Sequence, residues 1–140
     1  MAKTTFQGPV VSKAGFFNTG PGNVVDADSS VALTVDTHAG RIVHNDAAGA
    51  VTYTLPATNA NSDSAIAGPG ADLNNLSNVG ARFEIFNSIT KTGDLVVQVA
   101  NATDVMIGGA LFIDDSSDNV VGFETASTSD TITLNGSTTG

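Results

Sequence analysis

The short apolar runs between Arg82 and Leu134 constrain the fold of this chain most strongly. Runs rich in Val, Ile, Phe and Thr alternate there with clusters of Gly, Asn, Asp and Ser, a pattern typical of antiparallel strands joined by turns. Similar runs occupy residues 31–35, 41–45 and 50–55, and no helical periodicity interrupts them. The sequence therefore predicts a single all-β domain of about eight short strands, either an antiparallel sandwich of jelly-roll type or a small barrel.

The clearest predicted hairpin joins Val31–Val35 to Arg41–Asn45 through a two-residue turn at residues 39–40. This register puts His44 on the apolar face and His38 on the polar face, so the two histidines cannot share an ion with the neighbouring aspartates. We therefore expect no metal site here. His44 is expected at the edge of the core with a backbone partner, and His38 is expected to be exposed near the turn.

An extended N-terminal arm is predicted over residues 1–25, before a β domain over residues 26–140. Its Gly-Pro steps resist regular structure. It carries a formal charge of +2 and no acid, against −11 for the remainder, which together give −9. Because free aromatic side chains are poorly solvated, we expect the arm to bury them against its own domain, a neighbouring copy or another protein. The candidate contact residues are Phe6, Pro9, Val10, Val11, Phe16 and Phe17.

Residues 57–80 form one long irregular connection with a Gly-Pro-Gly step at residues 68–70. Loops of this length inside compact domains are usually functional or mobile. Two interpretations stay open: a surface excursion, or a contact loop in which Ile66, Leu73 and Leu76 dock on a partner or a neighbouring subunit.

Charge and composition argue against several classes of partner. The chain has 140 residues, no cysteine and a formal net charge of −9. That charge repels a phosphate backbone and an anionic membrane surface, so we expect neither nucleic acid nor membrane as a direct partner. No apolar run has the length of a membrane-spanning helix, and no thiolate metal site or disulfide framework is available.

Catalytic motifs are missing from the sequence. There is no nucleophile elbow, no phosphate-binding loop before a helix, no tryptophan and a single tyrosine, Tyr53, to hold a sugar. We therefore expect no enzyme activity, no catalytic residues, no cofactor and no small-molecule substrate. Asp114, Asp115 and Asp118 form the best cluster for a hard cation, but they lack the EF-hand spacing, and a solvated acidic turn is the favoured interpretation.

Several segments carry a resemblance to a known family. They are TTFQGPVVSKAGFF, HAGRIVHNDAAGAVTYTLPA, VQVANATDVMIGGALFIDD and VVGFETASTSDTITLNGSTTG. Together they resemble the small capsid decoration, or cement, proteins of tailed bacteriophages. The resemblance implies a β-rich domain, usually a homotrimer, on the outer surface of an icosahedral head. Such proteins reinforce the joints between major capsid protein subunits.

The expected function is therefore that of a structural virion protein that binds the major capsid protein and copies of itself. One alternative is a phage adhesin or tail-fibre head domain that binds a cell-surface glycan, which requires exposed aromatic side chains. Another is a surface-layer or secreted module stabilised by calcium, which requires a melting temperature that depends on the ion.

Overall fold

The computed structural model of the chain describes residues 23–58, 78, 80–114 and 119–136. Within these ranges the protein is all-β, as the sequence predicts, apart from one helical turn. In chain order the elements are β1 (Val24–Asp26), β2 (Val31–Ala32), α1 (Val35–His38), β3 (Ile42–Asn45), β4 (Val51–Thr54), β5 (Glu84–Asn87), β6 (Leu95–Gln98), β7 (Gly109–Asp114), β8 (Asn119–Glu124) and β9 (Thr131–Leu134). The described strands form three sheets, none closed into a barrel, so the small-barrel alternative is wrong for this part of the chain.

The first six strands form three stacked turns of the chain, which we call coils: β1 with β2, β3 with β4, and β5 with β6. Sheet A has the strand order β1-β3-β5, and sheet B has the order β2-β4-β6 with β9 added at its edge. Within each coil the chain passes from sheet A to sheet B, and it then returns to sheet A to begin the next coil. Because each strand lies beside its equivalent in the next coil, the pairings among β1 to β6 are all parallel.

The antiparallel hairpin predicted near the start of the domain is therefore wrong. Thr34 caps α1 instead: its Oγ1 accepts a hydrogen bond from the Thr37 amide at 3.4 Å, and its own amide donates to His38 Nδ1 at 2.9 Å. Gly40 then turns the chain at a φ of +72°, and its amide donates to the Arg82 carbonyl at 2.9 Å. This wide connection returns the chain to sheet A, so β3 pairs with β1 and β5 and not with β2.

Antiparallel pairing does occur in the C-terminal part of the described chain. There β7 pairs with β8 as a hairpin, and β9 runs antiparallel to β6. A jelly roll is antiparallel throughout, so that expectation does not describe the coils.

Side-chain alternation follows the sequence prediction in β4 and departs from it in β3. Val51 and Tyr53 are buried in β4, as predicted. In β3 the buried residues are Val43 and Asn45, whereas the predicted hairpin put His44 on the apolar face. A shift of one residue exchanges the two faces of a strand, so the wrong pairing partner led to the wrong face.

The core lies between sheets A and B. Its buried residues are Leu33, Val43, Val51, Tyr53 and Leu95. The stretch from Arg82 to Leu134 contributes Leu95 to the buried core, and Phe83, Ile85 and Val97 are partly buried against it. None of the residues after Leu95 whose burial is described is buried, so most of the buried core comes from earlier in the chain.

A buried lysine connects the three coils. Lys91 exposes 8% of its surface, and its Nζ donates hydrogen bonds to Asn45 Oδ1 at 3.2 Å, the Ala47 carbonyl at 2.6 Å and the Gly49 carbonyl at 2.5 Å. Three acceptors satisfy the three ammonium hydrogens, which offsets the cost of removing the charge from water. Asn45 Nδ2 in turn donates to the Ala27 carbonyl at 3.1 Å. These hydrogen bonds join residues from all three coils.

The hairpin of β7 and β8 is attached to the rest of the molecule at its base. The Met106 amide donates to the Ser129 carbonyl at 2.7 Å, and the Thr125 amide donates to the Gly108 carbonyl at 3.0 Å. Among the described strands, β7 and β8 pair with no strand except each other. A two-stranded hairpin of this kind is marginally stable without a surface to pack against.

Candidate interaction surface

The nine contact residues predicted from the sequence lie outside the described residues. They are Phe6, Pro9, Val10, Val11, Phe16, Phe17, Ile66, Leu73 and Leu76. Of the predicted arm, Val24 and Val25 are described, and both belong to β1, which pairs with β3. In the acidic turn, Asp115 and Asp118 also lie outside the described ranges.

A large apolar surface lies at the C-terminal end of the described chain, and we call it the C-terminal apolar surface. Its exposed residues are Val105, Ile107, Leu111, Ile113, Val120, Phe123, Ile132 and Leu134. Ile107 is 91% exposed, Leu111 75% and Ile113 71%. Six of the eight lie on β7, β8 and β9, and two lie on the segment before β7. Scattered apolar residues are normal on a protein surface, but a concentrated group marks a candidate binding site.

Both faces of the β7–β8 hairpin carry exposed apolar side chains. In the observed register Leu111 lies opposite Gly122 and Ile113 lies opposite Val120, so these residues share one face, called face 1. Ala110 lies opposite Phe123 on the other face, called face 2. Val120 and Phe123 are each 59% exposed. The described part of the chain therefore covers neither face.

A groove separates face 2 of the hairpin from strand β9. Its volume is about 530 Å³. Phe123 and Ala110 line it from the hairpin, Ile132 lines it from β9, and Met106 and Ile107 line it from the connecting segment. Thr, Ser and Glu side chains complete its rim. An apolar floor with a polar rim is the usual composition of a protein-binding site.

The C-terminal apolar surface has very few charges. No Asp, Glu, Lys or Arg occurs in residues 105–113 or 119–123, although the chain as a whole has a net charge of −9. Loss of charged residues at the centre of a patch is the compositional signal of a protein interface. The surface therefore differs from the acidic remainder in charge as well as in hydropathy.

A second cluster, on the outer side of the coils, consists of exposed carboxylates. One oxygen each from Asp26, Asp28 and Asp46 lies within 4.8 Å of the others. Beside them His44 contacts Asp26 Oδ1 through Nδ1 at 3.0 Å and Ser88 Oγ through Nε2 at 2.7 Å. Exposed carboxylates are well hydrated without an ion, so the stacking of the coils accounts for this cluster and we assign no ligand to it.

The pKa values of two of these carboxyl groups move in opposite directions. The Asp46 amide donates to Asp28 Oδ1 at 3.0 Å, and together with a hydrogen bond from the Asp46 carboxyl it lowers the pKa of Asp28. The hydrogen bond with Asp28 and the charge of Asp28 raise the pKa of Asp46. The pair therefore holds one proton at a higher pH than an isolated aspartate does.

A weak internal repeat in the sequence indicates this acidic cluster. Residues 24–28 read VVDAD and residues 42–46 read IVHND, so at an offset of 18 positions an apolar pair is followed by one polar residue and, two positions later, by an aspartate. In the structure the same residues are aligned in β1 and β3. A search for repeats would have found both the parallel stacking and the pairing of Asp28 with Asp46.

Both histidines differ from expectation in their partners. His38, expected to be exposed, is buried, and its Nδ1 accepts a hydrogen bond from the Thr34 amide. His44, expected to contact the backbone, has the side-chain partners Asp26 and Ser88, and its ring stacks on Phe86 with centroids 6.1 Å apart. Their roles are structural: His38 stabilises the helical turn, and His44 joins neighbouring strands of sheet A.

Comparison with known proteins adds no relative: no family model, no curated protein and no solved structure matches this chain. Among the described residues, no helix has the length and apolar character needed to cross a membrane.

Proposed function

We propose that this protein is a structural virion protein, a capsid decoration or cement protein of a tailed bacteriophage. In this role it binds the outer surface of an icosahedral head and stabilises contacts between major capsid protein subunits. Its partners are the major capsid protein and copies of itself, as a homotrimer. The role requires no catalytic residue, cofactor, nucleic acid, membrane or small-molecule substrate.

The observation that supports the proposal best is the C-terminal apolar surface. A monomeric soluble protein rarely exposes this many large apolar side chains on adjacent strands. Protein–protein contact is therefore the activity for which this surface is suited. The resemblance of several segments to cement proteins indicates the assembly in which such contacts form, which is a phage capsid.

The small, well-anchored core suits a reinforcing role. A shell under internal pressure is strengthened by a protein that bridges its subunits, since expansion must then break the added contacts. Hydrogen bonds from Lys91 to Asn45 and Ala47, and from Asn45 to the Ala27 carbonyl, hold the coils together. A body held in this way transmits load between its contacts without large internal rearrangement.

The predicted N-terminal arm, residues 1–25, of which residues 1–22 lie outside the described part of the chain, provides the contact with the capsid in this proposal. Its apolar side chains and formal charge of +2 distinguish it from the acidic body. An extended segment of this composition suits strand addition, in which backbone hydrogen bonds give affinity and alternate side chains give specificity. The body, whose formal charge is −11, then faces solvent and keeps particles apart.

The alternative of a glycan-binding adhesin receives less support. Tyr53, the only tyrosine, is fully buried, and its hydroxyl donates to the Ala27 carbonyl. The chain has no tryptophan. Sugar-binding platforms depend on exposed aromatic rings of these two types, so we propose no glycan site.

Binding to expanded empty heads that lack decoration protein tests the proposed function. We expect the full chain to bind saturably, with a fixed number of copies per head. Replacing Phe6, Phe16 and Phe17 together by Ser should abolish this binding and leave the coils folded. Phe86→Ser, at an exposed phenylalanine of β5, is the matched control and should bind normally. Absence of saturable binding by the native chain contradicts the function, and full binding by the triple variant contradicts the role of the arm.

A further inference from the structure

We propose that the C-terminal apolar surface joins copies of this chain into a closed ring, in which Leu111 and Ile113 of one copy enter the groove beside Phe123 of the next. The inference rests on the proposed function only in that a decoration protein acts as several copies. It adds the location and the symmetry of the contact between them.

The two-sided exposure of the hairpin indicates two neighbours for each copy. Face 1 presents Leu111 and Ile113, each more than two-thirds exposed, and face 2 presents Phe123. A twofold dimer uses one self-complementary patch and would leave the other face in water. Different patches that meet head to tail cover both faces, and the smallest closed ring built in this way has three copies.

The two faces suit each other chemically. Face 1 presents exposed aliphatic side chains: Leu111, whose Cδ2 lies 3.9 Å from the position of a Cβ at Gly122, and Ile113 opposite Val120. Face 2 borders the groove of about 530 Å³, whose apolar lining includes Phe123 and Ile132. That volume accommodates two aliphatic side chains, and pockets filled by apolar anchors dominate the binding energy of most interfaces.

Charge favours a second copy as the occupant. Two copies of a chain with a net charge of −9 repel each other wherever acids meet. A contact between them must therefore use surface with few charges. Residues 105–113 and 119–123 contain no charged residue, and Glu124 is the one charged residue among those that line the groove. A basic partner protein would instead be matched by the acidic part of the surface.

The exposed area sets the size of the contact. Face 1 and face 2 lie on opposite sides of the hairpin, so one head-to-tail contact buries face 1 of one copy against face 2 and β9 of the next. Together the eight side chains of the C-terminal apolar surface expose on the order of 800 Å², which is about half of the roughly 1,600 Å² in a standard interface, and polar residues beside them must contribute the rest. Because Phe123 and Ile132 line one groove, face 2 of the hairpin and β9 belong to a continuous patch. Burial of this patch also gives the two-stranded hairpin the packing surface that it otherwise lacks.

The test measures the mass of the full-length protein in solution, by native mass spectrometry and sedimentation equilibrium. We expect a closed oligomer of at least three copies. Ile113→Asp on face 1 and Phe123→Asp on face 2 each put a carboxylate into the contact, and each should weaken association by roughly 100-fold or more. Ile89→Asp, at an exposed isoleucine outside the surface, is the matched control and should leave the mass unchanged.

Mixing the two single variants tests the head-to-tail geometry. The intact face 2 of Ile113→Asp can bind the intact face 1 of Phe123→Asp, so the mixture should form a one-to-one heterodimer that grows no further. Circular dichroism shows whether each variant is folded. If either Asp variant fails to fold, Ile113→Thr and Phe123→Thr replace the pair, with the same expected products.

Other occupants of the surface give different results, and each result overturns the proposal. The protein could be a monomer that binds a hydrophobic dye only after Phe6, Phe16 and Phe17 are replaced by Ser. This result would show that the chain's own arm covers the surface. A native monomer whose Ile113→Asp variant no longer binds heads would assign the surface to the capsid. Dimers formed by either single variant alone would replace the ring by twofold contacts.

The proposed function fails separately from this inference. A ring that forms as expected but does not bind expanded heads supports the inference and contradicts the function. Saturable head binding by a native monomer contradicts the inference and the homotrimer, but it supports the binding of the capsid.

Discussion

The three coils and the C-terminal region use apolar residues in opposite ways. Between Leu33 and Leu95 the coils bury four aliphatic side chains together with Tyr53, and carbonyl oxygens accept hydrogen bonds from a buried lysine. From Val105 to Leu134 apolar residues are as prominent in the sequence, yet eight large ones are exposed among the residues whose burial is described. The first region buries its apolar side chains between its own two sheets, whereas the second leaves most of them exposed.

The difference shows that strand-forming sequence and core-forming sequence are separate properties. Alternation and β-branched residues specify a strand in both regions. Burial requires in addition a second layer to pack against, and sheets A and B provide that layer for each other. The hairpin has no second layer among the described residues, which is why its best apolar runs are its most exposed.

The same substitution in the two regions should have the largest difference in effect. Leu33→Ala leaves a cavity in the core and should lower the free energy of unfolding by about 3 kcal/mol. Leu111→Ala removes an exposed side chain and should change it by less than about 0.5 kcal/mol. Both are made in the Phe123→Asp background, which removes association, and measured by denaturant unfolding followed by circular dichroism. Equal effects would abolish the distinction between the regions.

Removing the buried ammonium should have the next largest effect. Lys91→Met keeps the length of the side chain but leaves the Ala47 and Gly49 carbonyls without their donor, which should cost about 2 to 4 kcal/mol in unfolding free energy. The control is Arg82→Met, whose side chain is 82% exposed, and it should be nearly neutral. A neutral Lys91→Met would show that the coils do not depend on this contact.

Glycine substitutions should sharpen the contrast in packing. A Cβ at Gly93 would lie 2.5 Å from the Ala50 nitrogen, so Gly93→Ala should destabilise the coils by about 1 to 3 kcal/mol. A Cβ at Gly122, in the hairpin, meets Leu111 Cδ2 at 3.9 Å, an ordinary contact. Gly122→Ala should therefore leave the melting temperature almost unchanged. An equal loss of stability in Gly93→Ala and Gly122→Ala would contradict the description of the hairpin as loosely packed.

Two aspartates should show the smallest effects, with opposite signs. The pKa of Asp46 is raised by Asp28, so its ionised form is destabilising, and Asp46→Asn should raise the melting temperature at neutral pH. Hydrogen bonds from the Thr58 amide and Asn101 lower the pKa of Asp104, so its ionised form is stabilising, and Asp104→Asn should lower the melting temperature.

The pH dependence of these two variants checks the assignment. As the pH falls, Asp46 takes up its proton above its usual range and the advantage of Asp46→Asn disappears first. Asp104 loses its contribution only when the pH falls through its lowered pKa, so the deficit of Asp104→Asn persists further into acid. Melting temperatures of the native chain and of the two variants, measured from neutral to acid pH, give both trends. If the three melting temperatures change with pH in parallel, the assignment is contradicted.

The sequence predicts the positions of the strands better than their partners. The predicted runs at residues 41–45 and 50–55 lie close to the observed bounds of β3 and β4, since alternation is a local property. Whether two strands run parallel depends on the path between them, and the helical turn at Val35–His38 redirected that path. One wrong partner in β3 was enough to exchange its buried and exposed faces.

The interaction surface is predicted less well, for a physical reason. Periodicity identifies an apolar face but not what covers it, so Leu111 and Ile113 resembled core residues in the sequence. Their exposure follows from the absence of a second layer over the hairpin in the described chain, which is a tertiary property. The predicted contacts in residues 1–22 and 59–77 lie outside the described ranges and stay predictions.

Hydrogen exchange of the native chain and of Ile113→Asp tests the contrast between the two regions most directly. We predict that amides of β4 and β6 exchange slowly in both proteins, because the coils complete their own core. Amides of β7 and β8 should be protected in the native chain and exchange much faster in Ile113→Asp, because a second copy no longer covers the hairpin. Equal exchange of the hairpin amides in the two proteins would contradict the account.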